Sequence, residues 1–255
     1  MAIDSKMLRD QIEARLADFY RRRAEGLVKL KLTDVLRRKN PYLYKARGTQ
    51  NAAEIVEDIL KAHLGSSDET IFGDAFFEPL ALDLARNLGG SVSPSEGVDI
   101  AIETADRYIA IALKSGPNIY NASQSKKQNT EFLSLRSRLH KLGKEFDPVL
   151  GHAYGRKNTA SNQSVIYRHS SGQRFWQELT GDAEFYVKLI RLMDDGFIAG
   201  HRKSYKDEFD KAVNRYVREF TIDFCRPDGA IDWEKLVTFN SGDMKRADMN
   251  AITGC

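Results

Sequence analysis

Cysteine is almost absent. Cys225 and Cys255 are the only two, far apart, with no CxxC and no Cys/His grouping. A disulfide-stapled scaffold and a zinc site are both excluded on that ground. Long apolar runs are missing too: nothing approaches the roughly 18 residues a membrane-spanning helix needs. The opening stretch, MAIDSKMLRDQIEARL, reads as a charged amphipathic helix without the apolar segment of a secretion signal, so a cytoplasmic protein is expected. Internal repeats and low-complexity linkers are also lacking. The five histidines, His63, His140, His152, His169 and His201, are scattered without ligand spacing and read as structural or exposed. His169 reads as lying in a basic loop and has phosphate contact as its alternative.

What remains is a chain of 255 residues, long enough to bury one large core. Its net charge of +3 is unevenly spread. Residues 1–50 hold 13 Lys/Arg against 6 Asp/Glu, residues 51–113 hold 3 against 12, and residues 114–174 hold 11 against 3. Two basic segments thus flank an acidic one. That suits a protein that grips a polyanion and cuts it through metal ions, although solvated helix faces would give the same counts.

The acidic segment ends in the most informative stretch, GVDIAIETADRYIAIALKSGPN, residues 97–118. Val98–Glu103 and Arg107–Lys114 alternate apolar and polar residues around the turn Thr104-Ala105-Asp106, which predicts a β-hairpin. Val98, Ile100 and Ile102 should share one face of the first strand, with Ile109, Ile111 and Leu113 on one face of the second. If Glu103 pairs with Tyr108, Asp99 falls opposite Ala112 and diagonal to Lys114, about 7–8 Å away at Cα. A carboxylate and an ammonium then converge beside the loop Ser115-Gly116-Pro117-Asn118. A metal-dependent phosphodiesterase needs such a pair, the acid for a hard divalent cation and the lysine for a water or the phosphate charge. A solvated hairpin face would also carry one.

This stretch resembles the core of the PD-(D/E)XK nuclease superfamily, with Val98-Asp99 in the place of "PD" and Ala112-Leu113-Lys114 in the place of "(D/E)XK". More narrowly, "GVDI…LKSGPN…NASQ" is similar to type II restriction endonucleases grouped as PmeII-like. "KNPYL", "YG" and "GQRFW" continue the likeness over residues 37–193. The resemblance implies a restriction-endonuclease-like α/β fold, a mixed sheet of four or five strands flanked by helices. It also implies a prokaryotic, Mg²⁺-dependent enzyme, a homodimer that cuts both strands of double-stranded DNA at a short palindromic or pseudopalindromic site. Asp99 and the Leu113 carbonyl would hold the metal, and Lys114 would assist the attacking water. Position 112 departs from the pattern, because it is alanine where an acid is expected. In the family a helix before the hairpin carries a glutamate that faces the site, which makes Glu78 the leading substitute as second catalytic and metal-binding acid. An exposed helix-end glutamate is its other reading. Glu103 competes, but four residues along a strand put it about 13 Å from Asp99. Glu96, in the preceding loop, is the third option. If none compensates, the chain is a catalytically impaired DNA-binding protein; a repair or recombination nuclease of the superfamily is the remaining alternative.

Contacts to DNA are expected from three places. Arg38, Lys39, Asn40, Tyr42, Lys45 and Arg47 combine cations with tyrosine near Pro41 and suit phosphates or a groove. Ser115, Asn118, Asn121, Ser123 and Gln124 lie between the hairpin and the N-terminus of the next helix, which favours anions, although capping explains Asn121 and Ser123 equally well. Arg156, Lys157, Gln173 and Arg174 could reach phosphates or base edges.

The chain reads as one endonuclease domain over residues 1–255. It has a basic helical arm over 1–50, a catalytic core over 68–176 and a helical extension over 200–255. Helices are expected over 4–39 (ended by Pro41), 51–64 (stopped by Gly65), 125–142 and 205–224. A kink or restart is expected at Pro79. Ser91–Glu96 reads as loop, Val149–Tyr154 and Ser164–Arg168 as the third and fourth strands. Phe175, Trp176, Leu179, Phe185, Leu189, Ile190 and Leu192 read as core.

Overall fold

The computed structural model describes residues 4–116, 121–139, 143–160 and 164–242. These form two compact units, Met1–Arg21 with Glu69–His201 and Arg22–Asp68 with Arg202–Cys255.

The first unit is the α/β body. Its sheet has five strands in the order β1 (Gly90–Val92), β2 (Ile100–Glu103), β3 (Arg107–Lys114), β4 (Glu145–His152) and β5 (Arg168–Ser171). The first three form an antiparallel meander, and β3, β4 and β5 run parallel. The hairpin has the expected register, Glu103 against Tyr108 and Ile100 against Ile111. Two apolar layers follow from the alternation. Ile100, Ile102, Ile111, Leu113 and Val149 pack with α5 (Glu78–Arg86), α7 (Gln173–Thr180), α8 (Phe185–Leu192) and Leu8, Ile12 and Leu16 of α1 (Ser5–Lys29). Ala101, Tyr108, Ala110, Ala112 and Leu150 pack on the other side with Phe132 and Leu135 of α6 (Ala122–Leu139).

Several boundaries differ from the sequence reading. Val98 packs with Ala101 and Phe132, not with Ile100 and Ile102. A turn explains the switch: the Val98 N–H donates to the Ser95 carbonyl at 3.2 Å and Gly97 has φ 72°, so extended alternation begins only at Ile100. Gly90–Val92, within and just before the expected loop, is a strand. Strand β4 begins at Glu145, four residues before the expected start, and ends at His152. The fourth strand lies at Arg168–Ser171 rather than Ser164–Arg168. Helix α6 starts three residues early, at Ala122; residues 140–142 of its expected end lie outside the described residues. Ile190 is 65% exposed rather than core. At Pro79 the chain restarts: a π-helical turn, Gly73–Phe77, hands over to α5 with the proline in its first turn.

The second unit is helical. Leu27, α2 (Leu32–Leu36), Tyr44 of α3 (Pro41–Ala46), Ile55, Ile59 and Leu60 of α4 (Ala52–Phe72), Tyr216, Phe220 and Phe224 of α9 (Asp195–Phe224) and Leu236 of α10 (Trp233–Ser241) share one core. Pro41 begins a helix instead of ending one, with Asn40 as its cap. Helix α4 runs through Gly65. A mid-helix glycine costs about 1 kcal/mol, and the bidentate Arg23–Asp68 pair, at 2.6 and 2.7 Å, anchors the helix three residues later. No helix among the described residues is long and apolar enough to cross a membrane.

Candidate active site

The site is built where the hairpin stops being a hairpin. Asp99 stands just before β2. Its backbone N–H donates to the Ile111 carbonyl at 2.9 Å, and its carboxylate accepts the Leu113 N–H at 2.6 Å. The side chain thus continues the ladder where the main chain has turned away. In an extended strand the N–H and C=O of one residue point the same way, so the Leu113 carbonyl is directed to the side of β3 on which Asp99 lies. Lys114, the next residue, ends the strand and is half-buried.

Glu78 approaches from the other element. It is the first residue of α5, placed by the π-helical turn and by Pro79 behind it. Its carboxyl pKa is pushed up to about 7, first by burial, then by the charge of Asp99 and, less, Asp74, with Lys114 pulling the other way. Glu78 therefore lies in the field of both Asp99 and Lys114. Glu103 is at the far end of β2, held by Lys144 at 2.6 Å. Glu96 is 84% exposed. Ala112 is buried in the layer under α6. No three His, Cys, Asp or Glu side chains form a metal-holding group among the described residues.

A family model described as type II restriction endonuclease EcoO109I matches residues 6–198. The chain belongs to the EcoO109I family of type II restriction endonucleases. No curated protein matches it closely enough to add a relative. Family membership makes this a DNA nuclease of the restriction type.

For an EcoO109I-family enzyme the expected DNA contacts fall into separate groups. Arg38, Lys39, Asn40, Tyr42, Lys45 and Arg47 belong to the second unit. There Asn40 accepts the Leu43 N–H at 3.2 Å, Arg47 pairs with Asp58 at 3.2 Å, Lys45 sits 5.3 Å from the Trp233 ring, and Tyr42 is 63% exposed. In the first unit, Asn121 and Gln124 cap α6 reciprocally, each side chain accepting the other's N–H at 2.9 Å. Ser123 is exposed, and Ser115 is packed against Gly73. Asn118 lies outside the described residues. Arg156, Gln173 and Arg174 line one hollow of about 970 Å³, with Tyr154 and Tyr186. Gln173 donates to the Ala183 carbonyl at 2.9 Å, Arg174 to Glu178 at 3.1 Å, and the Lys157 carbonyl accepts the Ser171 hydroxyl at 2.6 Å.

The sequence reading missed a histidine pair. His169 is on β5, not in a loop, and its Nδ1 is 3.0 Å from Nε2 of His152, whose Nδ1 is 3.0 Å from the Gly116 carbonyl. Burial holds both imidazoles down to about 4, so both are neutral. A carbonyl only accepts, so His152 carries its proton on Nδ1, and its Nε2 accepts from Nδ1–H of His169. The pair braces the loop after Lys114 from one side. The Tyr154 ring braces it from the other, lying where a Gly116 side chain would stand. Only the parallel register of β3, β4 and β5 brings these residues together, and no local pattern signals it.

The raised Glu78 pKa gives a test of the site without substrate. The folded state holds this proton more tightly than the unfolded chain, so its stabilising contribution is full below about 4.5 and is lost as pH rises through about 7. Glu78→Gln is expected to melt clearly higher than the parent at pH 8 in chelator and no higher at pH 4. Thermal denaturation at the two pH values measures this; equal shifts at both would contradict the raised pKa of Glu78.

Proposed function

We propose that this chain is a Mg²⁺-dependent type II endonuclease that cuts both strands of duplex DNA at a short palindromic or pseudopalindromic site, working as a homodimer. The observation that carries the reading is the Asp99 carboxylate locked on the Leu113 amide, with Glu78 and Lys114 in its field. The donor chemistry fits the ion. Two carboxylates and a main-chain carbonyl are hard oxygens, and Mg²⁺ ordinarily takes one or two protein carboxylates and fills the rest with water and substrate phosphate. A Glu78 carboxyl resisting ionisation beside Asp99 also fits a place where positive charge belongs.

Asp99, Glu78 and the Leu113 carbonyl would hold Mg²⁺. When bound, the ion supplies phosphate polarisation and a lowered water pKa. Lys114 orients the attacking water and offsets the charge gathering on the phosphate oxygens. Attack at phosphorus breaks the bond to the 3′ oxygen, which leaves 5′-phosphate and 3′-hydroxyl ends. A two-fold symmetric target favours a two-fold symmetric enzyme. The likeness of "GVDI", "LKSGPN" and "NASQ" to PmeII-like enzymes supports the narrower assignment.

The test is incubation with unmethylated phage DNA, with Mg²⁺ or chelator, and sequencing of fragment ends. Discrete Mg²⁺-dependent fragments sharing one palindrome are expected. Site-specific binding without cleavage in Mg²⁺ or Mn²⁺ would make the chain a DNA-binding protein instead.

A further inference from the structure

Ala112 leaves β3 without an acid on the sheet face beneath α6, but the helix itself carries one there. Glu131 of α6 is largely buried, 15% exposed at its side chain. Its carboxylate lies against Gly97, two residues before Asp99, where a β-carbon on Gly97 would collide with it. The φ of 72° favours glycine at 97, and the absent side chain leaves room for the carboxylate. Gln128, on the preceding turn of α6, fixes the contact by donating to the Gly97 carbonyl at 2.7 Å. Glu131 and Lys114 line one open hollow of about 390 Å³, with Gln124 and Lys127.

A structural role for Glu131 would be its ion pair with Lys127 at 3.6 Å. Lys127 is 72% exposed and also 3.8 Å from Glu96. A pair of that length to a mostly exposed lysine contributes little, so it does not account for a carboxylate tucked against the Asp99 turn.

We propose that Glu131 is a further metal-binding carboxylate of this site, acting from α6 where the nuclease pattern places an acid on β3. The inference rests on the reading under Proposed function. It requires Glu131 to exchange Lys127 for the cation and turn past Gly97 toward Lys114, the residue of the Asp99 site that shares this hollow, with no bond made or broken in the protein.

Mn²⁺ is the probe, its binding to the full chain without DNA followed by electron paramagnetic resonance of the free ion. Glu131→Gln should weaken Mn²⁺ binding at least about tenfold and cut cleavage about a hundredfold, at an unchanged melting temperature. Lys127→Ala should move Mn²⁺ binding the opposite way, several-fold tighter, which a purely structural ion pair would not do. Parent-like Mn²⁺ binding by Glu131→Gln, or no tightening by Lys127→Ala, overturns the assignment. Asp99→Asn separates the two readings. Binding lost in Asp99→Asn but kept in Glu131→Gln removes only Glu131. A parent chain that binds no better than Asp99→Asn removes the metal site altogether.

Discussion

Asp99→Asn is expected to lower the cleavage rate by about 10³-fold while leaving the fold intact. The two effects separate because Asp99 has two tasks. One is structural: an oxygen accepts the Leu113 N–H at 2.6 Å and closes the ladder where β2 begins. An asparagine amide oxygen can do the same, so the hairpin junction survives. The other task is charge, which the amide lacks, and a neutral oxygen is a poor ligand for a hard divalent ion. Losing that charge also removes the largest electrostatic contribution raising the Glu78 pKa. In Asp99→Asn the Glu78 carboxyl should titrate closer to its usual range, and the pH-dependent loss of stability assigned to Glu78 should shrink. Single-turnover cleavage beside a thermal melt measures both. A variant within tenfold of the parent rate would take Asp99 out of the chemistry.

The hairpin was readable because strict alternation and a three-residue polar turn leave only one register that buries the isoleucines. Pro79 made the helix restart readable, but Glu78 itself was singled out only through the resemblance, whose pre-hairpin helix carries a glutamate. Ala112 was recognisable as a departure, but the residue proposed to answer it was not. Glu131 stands on the helix after the strand, and its approach to Gly97 depends on how α6 packs. Edge strands were hidden for a related reason. Gly90–Val92 and Arg168–Ser171 have no apolar period, and they become strands only through the ladders that β2 and β4 offer them. Two charged residues, Arg107 and Asp147, gave no sign that they would pair across adjacent strands.

That pairing carries the largest expected stability effect. The Asp147 carboxylate, 7% exposed, accepts from Arg107 at 2.6 Å and from two nitrogens of Arg168 at 2.9 Å each. Arg168 in turn donates to both Glu178 oxygens at 3.0 Å. One carboxylate therefore ties β3 to β4 and β5, and through Glu178 to α7. Asp147→Ala would leave two guanidinium groups without the carboxylate between them, with three charge-assisted hydrogen bonds gone. Breaking such a network from one side costs about 3 kcal/mol here, the lower end of the usual range because Arg107 is 41% exposed. In a chain of this size that corresponds to a melting temperature lowered by roughly 6–12 °C. Arg174→Ala, which removes only the 57%-exposed partner of Glu178, should cost less than about 1 kcal/mol. The loss in Asp147→Ala should also persist in 1 M salt (an ionic strength that screens surface pairs within about 3 Å), because solvent ions do not reach the buried carboxylate. Melts of both variants at low and high salt decide the matter. If Asp147→Ala costs no more than Arg174→Ala, the sheet is held by its ladders and apolar layers alone.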